Sequence, residues 1–269
     1  MLLSVSTGGL APLPLREVFY CVAEAGLDGI ELLAGLPPTL AAVRRLRKLA
    51  ADHHVAILSV HQRMITRRAG GVWAPWMLEA ADLGLQLDAR AVVIHGTYSN
   101  NWQAPAAQRW LRSLEMCQRR LRGSTTRLAL ENDNLHHPRD RHNLLGTPAA
   151  LAEFANQHDL ALTLDTCHAH ARDVALDEAW AAIGARTINV HFSDTIPRPL
   201  PRMRLLSSLF SDHQLPGRGI LPLAEFTAQL KREHYPGILT LEVSPLALPK
   251  LSRTRLINAL REFAAFGKN

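Results

Sequence analysis

Short apolar segments recur eight times along this chain, and each is followed by a longer segment with helical periodicity. The apolar segments have the length and composition of parallel strands that are buried on both faces. The predicted strands are residues 2–6, 29–33, 56–60, 91–95, 127–131, 161–165, 187–191 and 238–242. The predicted helices are residues 15–25, 39–53, 73–87, 104–122, 147–158, 176–183, 221–233 and 249–266.

Eight strand–helix repeats predict an α/β fold in which a parallel sheet closes on itself, the (β/α)8 or TIM barrel. An open doubly wound sheet usually has fewer strands and a glycine-rich phosphate-binding turn after its first strand. The turn Thr7-Gly8-Gly9 does not have that glycine spacing. No linker or low-complexity segment interrupts the 269 residues, so we predict one TIM-barrel domain, residues 1–269.

Composition predicts a globular protein of the cytoplasm. Apolar residues make up 47% of the chain and charged residues 20%, which is ordinary for a domain with a large core. The sequence contains no signal-peptide pattern and no membrane-spanning run, so we expect no membrane partner. The three cysteines are odd in number and far apart, which favours reduced thiols over a disulfide framework.

Metal-ligand residue types stand at the carboxyl ends of six consecutive predicted strands. They are His61, His95, Glu131, Asp165, His191 and Glu242. In such a barrel the carboxyl ends of the strands form one mouth, where active sites lie. Carboxylates held close together there would repel one another unless a cation lay among them. The pattern therefore predicts a divalent metal site, and mixed imidazole and carboxylate ligands suit Zn, Mn, Fe or Co.

The sequence around these residues resembles the motifs of the xylose isomerase-like barrel superfamily. The segments that carry the resemblance are 23–32 (AEAGLDGIEL), 130–132 (LEN), 165–168 (DTCH), 191–194 (HFSD) and 213–219 (HQLPGRG). The superfamily includes sugar and sugar-phosphate isomerases and epimerases, hydroxypyruvate isomerase, inosose dehydratase and the endonuclease IV family of DNA repair enzymes. The resemblance spans almost the whole chain.

The resemblance implies a metal core that the isomerases and the nucleases share. The residues that match this core are Glu131, Asp165, His191 and Glu242. Further zinc ligands of the nucleases are matched by His61, His95, His168 and His213. In the isomerases, the residue that matches His168 more often contacts substrate.

Two positions deserve separate expectations. Ser211 stands where the nuclease pattern has an aspartate ligand, and Asp212 is displaced from that position by one place. Because serine is a poor metal ligand, this departure argues against a complete three-zinc cluster. Cys167 is expected to lie in an extended segment, with its thiol directed away from the ligands.

Two connections at the mouth are longer than a barrel needs, residues 132–146 and 192–219. Long loops in a compact domain commonly bind or cover a substrate. Within the second loop, the apolar spacing of residues 205–210 predicts a short amphipathic helix. That helix would be either a mobile lid over the metal or a surface helix packed on the barrel rim.

Arginines fall in several segments that are predicted to lie on the mouth side. They are Arg63, Arg67, Arg68, Arg139, Arg141, Arg198, Arg202, Arg204 and Arg218. Guanidinium groups pair with phosphate, so an anion-binding rim is one interpretation, and a solvated face is the other. Arg218 is the best single candidate for substrate contact. The net charge of +6 also suits an anionic partner, although the arginine content equally matches the bias of a GC-rich genome.

The resemblance favours a divalent-metal-dependent isomerase or epimerase that acts on a sugar, a sugar phosphate or a related polyol or keto acid. It implies a metal-stabilised enediolate, with Glu131 and Glu242 moving protons, and Mn or Zn as the metal before Co or Mg. The first alternative is an endonuclease IV-like zinc phosphodiesterase that acts at abasic DNA. The second is a barrel that binds a sugar without turning it over. The oligomeric state is not predicted.

Overall fold

Eight parallel strands close into a barrel in the computed structural model, which describes residues 1–35, 39–63, 74–135, 137–197 and 210–268. The strands follow the chain order, and the last one pairs with the first. They are β1 (Leu2–Ser6), β2 (Gly29–Leu33), β3 (Ala56–His61), β4 (Ala91–His95), β5 (Arg127–Glu131), β6 (Ala161–Asp165), β7 (Thr187–Phe192) and β8 (Ile238–Leu241). The predicted (β/α)8 barrel is therefore confirmed.

Helices surround the barrel, and within the described residues all the predicted helices are present with ends that differ by a few residues. They are α1 (Thr7–Leu10), α2 (Leu15–Ala25), α3 (Leu40–His53), α4 (Ala74–Gln86), α5 (Pro105–Leu121), α6 (Pro148–Gln157), α7 (Thr166–Ala171), α8 (Leu176–Ile183), α9 (Leu223–Arg232) and α10 (Arg253–Lys268). Short 3-10 turns span Pro138–His142 and Gly184–Arg186. The sequence did not predict α1 or α7, because helices of four and six residues carry no apolar periodicity.

The apolar core lies between the outer face of the strands and the surrounding helices. Phe192 of β7 packs against Phe263 of α10 with their ring centroids 6.1 Å apart, and both side chains are buried. Trp110 of α5 is also buried and donates its indole N–H to the backbone carbonyl of His95 at 3.0 Å. Burying a large apolar side chain stabilises a fold by about 1.5–3 kcal/mol, so this layer holds the strand ends in place.

The barrel interior is built in levels, because every second residue of a strand points inward. The lowest level contains the small side chains of Ala91, Ala129 and Ala161, which pack together. A polar level of the interior contains Glu31, Ser59, Asn189 and Thr240, which are fully buried and joined by hydrogen bonds. Branched apolar residues usually fill this part of a barrel. The polar level lies directly below the strand ends that carry the predicted ligands.

Several sequence predictions lie outside the described residues. These are the arginines at 67, 68, 198, 202 and 204 and most of the predicted amphipathic helix at 205–210. Of that helix only Phe210 is described, and its side chain is exposed. Among the helices of the described ranges, none combines the length and the apolar character that a membrane crossing needs.

Candidate metal centre

The four predicted core ligands meet at the carboxyl ends of the last four strands. One ligand atom from each of Glu131, Asp165, His191 and Glu242 lies within 4.8 Å of the others. The Nδ1 atom of His191 lies 2.8 Å from Glu242 Oε2 and 3.3 Å from Glu131 Oε1. The same atom lies 3.9 Å from Asp165 Oδ2. His191 is therefore at the centre of three carboxylates.

Strand register explains why these side chains converge. Asp165 is paired with His191 across β6 and β7, and Glu131 is paired with His95 across β4 and β5. Glu242 follows the last residue of β8, two positions after the inward-facing Thr240. Because side chains alternate along a strand, all of these residues point to the barrel axis at one level.

The charges of this group perturb its pKa values strongly. Burial alone raises the pKa of Glu242, but the neighbouring His191 outweighs burial and holds it below its usual value. Burial lowers the pKa of His191. The charges of Glu242 and the other carboxylates outweigh burial, so this pKa lies well above 6.5. Burial raises the pKa of Asp165. When no metal ion is bound, protonated imidazole groups therefore neutralise the negative charge of the carboxylates.

A divalent metal ion fits this donor set. Asp165 Oδ2 is buried and has no hydrogen-bond partner among the described residues. An unpaired buried carboxylate oxygen is costly unless a cation contacts it. Carboxylate oxygens and one imidazole nitrogen are ligands that Mn²⁺ and Zn²⁺ accept, and four protein ligands leave room for substrate oxygens.

A second group of ligand type shares one residue with the first. His61, His95 and Glu131 also bring one ligand atom each within 4.8 Å of one another. Glu131 Oε2 lies 3.2 Å from His61 Nε2 and 3.6 Å from His95 Nδ1, while Glu131 Oε1 faces His191. Burial lowers the pKa of His95 to about 4. Burial also lowers the pKa of His61, but the hydrogen bond that His61 donates to Glu131 outweighs burial and raises this pKa to about 9. Glu131 therefore contributes to both groups, and it would be able to hold an ion in either of them.

His168 and His213 lie on the other side of the core group. His168 Nδ1 donates to the carbonyl of Asn132 at 2.9 Å and lies 3.2 Å from Glu131 Oε1. Burial lowers its pKa, but Asp165 and Glu131 outweigh burial and raise it to about 10. The His213 ring faces the His168 ring edge-on with centroids 5.4 Å apart, and its Nδ1 lies 3.9 Å from Asp165 Oδ2. The structure therefore brings all eight predicted acidic and imidazole side chains to one mouth.

The expectation for Cys167 is wrong. Asp165 ends β6 and caps α7 through its side chain, so Cys167 lies in a helix and not in an extended segment. Its thiol donates to the carbonyl of Asp194 at 3.1 Å and accepts the backbone N–H of His213 at 3.4 Å. Burial raises its pKa well above the usual value, so the thiol stays protonated. Cys167 therefore holds the loop that carries His213 against the mouth.

A sequence profile described as the xylose isomerase-like TIM barrel matches residues 19–262. The chain belongs to the xylose isomerase-like TIM barrel family. Among the curated proteins, an uncharacterized protein of Mycobacterium tuberculosis is 27% identical over 261 residues, which cover 89% of this chain and 88% of that protein. An uncharacterized protein of Mycobacterium leprae is 25% identical over 260 residues, with the same coverage.

Several solved structures share the fold of this chain at lower sequence identity. A D-tagatose 3-epimerase-like protein is 18% identical with a TM-score of 0.72, covering 99% of this chain and 97% of that chain. D-psicose 3-epimerase of Clostridium cellulolyticum H10, solved with D-tagatose, is 15% identical with a TM-score of 0.71, covering 100% and 98%. The IOLI protein, solved with a bound zinc atom, is 19% identical with a TM-score of 0.74, covering 99% and 98%. At these identities the likeness shows the fold.

The side chain of Asp194 connects the segments HFSD (191–194) and HQLPGRG (213–219) by hydrogen bonds. The carboxylate of Asp194 accepts the backbone N–H groups of Thr195, Gly217, Gly219 and Leu221 at 2.8–3.0 Å. Asp194 is buried, so these charge-assisted hydrogen bonds are strong. The HFSD and HQLPGRG segments therefore fold as one unit, which places His213 at the mouth.

Arg218 and Ser211 belong to none of the ligand groups at the mouth. Arg218 lines a groove of about 600 Å³ between the loop after β7 and helix α10, together with Arg255 and Glu262, and no metal-centre residue lines that groove. Contact between Arg218 and a substrate stays a prediction. Ser211 is buried, and its hydroxyl has no hydrogen-bond partner among the described residues. Asp212 Oδ1 accepts a hydrogen bond from Thr195 Oγ1 at 3.2 Å.

Sequence reasoning missed one buried carboxylate of the centre. Glu31 of β2 is fully buried, and its Oε2 lies 3.0 Å from His191 Nε2. The strand pairing shifts between Ile30 and Glu31, and such an irregularity re-aims a side chain. A signal was present, because Glu31 is a charged residue in an otherwise apolar strand, GIELL.

Proposed function

We propose that this chain is a divalent-metal-dependent isomerase or epimerase that acts on a sugar, a sugar phosphate or a related polyol or keto acid. The observation that carries the proposal is the buried group of Glu131, Asp165, His191 and Glu242 at the mouth of the barrel. The sugar epimerases among the solved structures of this fold support the choice of substrate class. The metal is expected to be Mn²⁺ or Zn²⁺, with Co²⁺ or Mg²⁺ as alternatives.

A bound divalent ion would polarise neighbouring carbonyl and hydroxyl oxygens of the substrate and stabilise the negative charge that develops on them. Proton transfer at the adjacent carbons falls to Glu131 and Glu242, so the substrate passes through an enediolate. Histidines outweigh burial and keep the pKa of both carboxyls below the usual value, so each is ionised at neutral pH and accepts a proton. A positioned general base contributes about 10²–10⁴-fold to the rate.

The two carboxylates differ in their surroundings. Glu131 is held on both oxygens, with His191 and His168 near Oε1 and His61 near Oε2. Glu242 is the most exposed of the four core residues at 7%. We therefore assign Glu242 as the base that takes the proton from the carbon of a substrate that enters through the mouth. Glu131 delivers the second proton, to the enediolate carbon, after it has taken one from a substrate hydroxyl group.

The test uses purified protein that is freed of metal and reloaded with Mn²⁺, Zn²⁺, Co²⁺ or Mg²⁺. Ketohexoses, their phosphates and inositol-derived ketones are incubated in D₂O, and isomer formation and deuterium incorporation are measured by NMR. Glu131→Gln and Glu242→Gln should abolish turnover, while Glu178→Gln, which changes an exposed glutamate of α8, should not. If Glu131→Gln and Glu242→Gln both keep wild-type turnover and metal content, the assignment is wrong.

Phosphodiester hydrolysis at abasic DNA is the second candidate, and the group of His61, His95 and Glu131 favours it because it adds a second set of ligands. Ser211 argues against it, because the nuclease pattern places an aspartate ligand there. The two functions differ in metal count and substrate. Elemental analysis that gives one ion per chain and no incision of an abasic duplex supports the isomerase, whereas several zinc ions with incision at substoichiometric protein support the nuclease.

A further inference from the structure

The two ring nitrogens of His191 face opposite directions, and each of them lies close to a carboxylate oxygen. Nδ1 points into the core group and lies 2.8 Å from Glu242 Oε2. Nε2 points down into the polar level of the barrel and lies 3.0 Å from Glu31 Oε2. Only one nitrogen of an imidazole can offer a lone pair to a metal while the other carries a proton.

Glu31 is fixed by a short network that ends in the barrel wall. Its Oε2 accepts hydrogen bonds from Ser59 Oγ at 2.8 Å and from Asn189 Nδ2 at 3.1 Å. The amide of Asn189 is itself fixed, because Asn189 Oδ1 accepts a hydrogen bond from Thr240 Oγ1 at 2.8 Å. All four side chains are fully buried. The carboxylate therefore has one position, and that position is under His191.

Burial of Glu31 needs an explanation that the fold alone does not supply. An isolated buried carboxylate destabilises a protein, and it is usually paired with a cation or a metal ligand. Among the described residues, His191 is the basic side chain that lies within ion-pair distance of Glu31. An apolar residue at this level would pack the barrel at lower cost. The ion pair with His191 offsets the free-energy cost of burying Glu31.

We propose that Glu31 is a positioning residue of the metal centre, which keeps the proton of His191 on Nε2 and directs the Nδ1 lone pair at the metal ion. This inference rests on the proposed function, because it presumes that His191 is a ligand. Partners of this kind fix the ring orientation and raise the basicity of a ligating histidine, and their loss commonly weakens metal binding by about 10–100-fold. Glu31 itself does not contact the ion.

The first experiment measures metal affinity on the whole chain by competition with a chromophoric chelator, with Mn²⁺ and Zn²⁺ as the probes. Glu31→Gln should weaken both ions by about 10–100-fold. Thr163→Val is the matched control, because Thr163 is an equally buried polar residue of a barrel strand and its hydroxyl has no hydrogen-bond partner among the described residues. That control should bind both ions like the wild type, and the melting temperatures of the metal-free variants are compared in parallel.

A second measurement needs no variant and reports the proton directly. In ¹⁵N-labelled, zinc-loaded wild type, long-range ¹H–¹⁵N spectra should show His191 with a proton on Nε2 and none on Nδ1. The Nε2 proton should lie far downfield because its acceptor is a carboxylate, and Glu31→Gln should move it upfield. A role in packing alone would leave this resonance unchanged.

The outcomes separate this inference from the proposed function. If the wild type binds neither ion, the proposed metal centre itself fails. If the wild type binds, Glu242→Gln weakens binding, and Glu31→Gln binds like the wild type, then Glu31 has no positioning role. A zinc-loaded wild type in which Nε2 carries no proton overturns the inference even if Glu31→Gln does not fold.

Discussion

Metal binding to the centre should release protons, so metal affinity should rise with pH. The pKa of His191 lies well above 6.5 because Glu242 and its neighbours outweigh burial, so its Nδ1 carries a proton at neutral pH without metal. A metal ion that binds Nδ1 must displace that proton. The metal-bound form holds fewer protons than the free form, and the affinity therefore increases as the proton concentration falls.

The size of this effect follows from the number of protons displaced. One proton per ion gives about tenfold in affinity per pH unit, or about 1.36 kcal/mol, and about 100-fold between pH 6 and pH 8. An ion in the second group would also displace the proton of His61, whose pKa is raised to about 9. His95 would add nothing, because burial lowers its pKa to about 4 and the ring is already neutral.

The assay is chelator competition with Zn²⁺ at pH 6, 7 and 8, combined with proton release in weak buffer that contains a pH indicator. We expect a slope of about one in a plot of log affinity against pH, and about one proton released per ion. Affinity that stays constant from pH 6 to pH 8, with no proton released, would refute the view that protonated imidazoles balance the carboxylates in the metal-free centre.

Three further predictions concern stability. The folded-state pKa of His168 is raised from 6.5 to about 10. Its contribution to stability is therefore complete below pH 6.5 and is lost as the pH rises towards 10. The melting temperature of the metal-free protein should fall over that range. Asp194→Asn should lower the free energy of unfolding in urea by about 3 kcal/mol, because an amide NH2 group replaces one buried carboxylate oxygen and would face backbone N–H donors. Gly219→Ala should lower the melting temperature and the metal-loaded turnover together, because the added Cβ would lie 2.1 Å from the carbonyl oxygen of Thr195. A melting temperature that does not change would contradict the first and the third prediction, and an unchanged urea unfolding curve would contradict the second.

The sequence alone predicts the residues that end the strands, because the barrel places all carboxyl ends at one mouth. Asp165 and His191 are examples: their types and their positions at strand ends are visible in the sequence, and the register brings them together. The depth of a residue inside the barrel is not visible in this way. The charge of Glu31 in the apolar strand GIELL is a sequence signal, but the sequence does not show that its carboxylate lies beneath His191, next to an irregularity in the pairing of β2 with β3.

Loop residues were harder for a similar reason. Cys167 follows the strand end so closely that an extended conformation was the natural expectation, yet the side chain of Asp165 caps a short helix there. Arg218 is close to His213 in sequence, but it lines a groove that no metal-centre residue lines. Sequence neighbours within a tight turn face different directions, so adjacency in a motif does not establish a shared site.

The polar level of the barrel connects the fold to the proposed chemistry. Replacing buried polar residues by apolar ones of similar volume often stabilises a protein, so Ser59, Asn189 and Thr240 are not there to strengthen the core. Each of them donates a hydrogen bond within the network that fixes Glu31 beneath His191. A metal ligand must be held within about 0.5 Å of its working position, and a rotatable imidazole needs a partner on its second nitrogen to achieve this. We infer that polar residues replace apolar ones at the centre of this barrel because they fix the position of a metal ligand at its mouth.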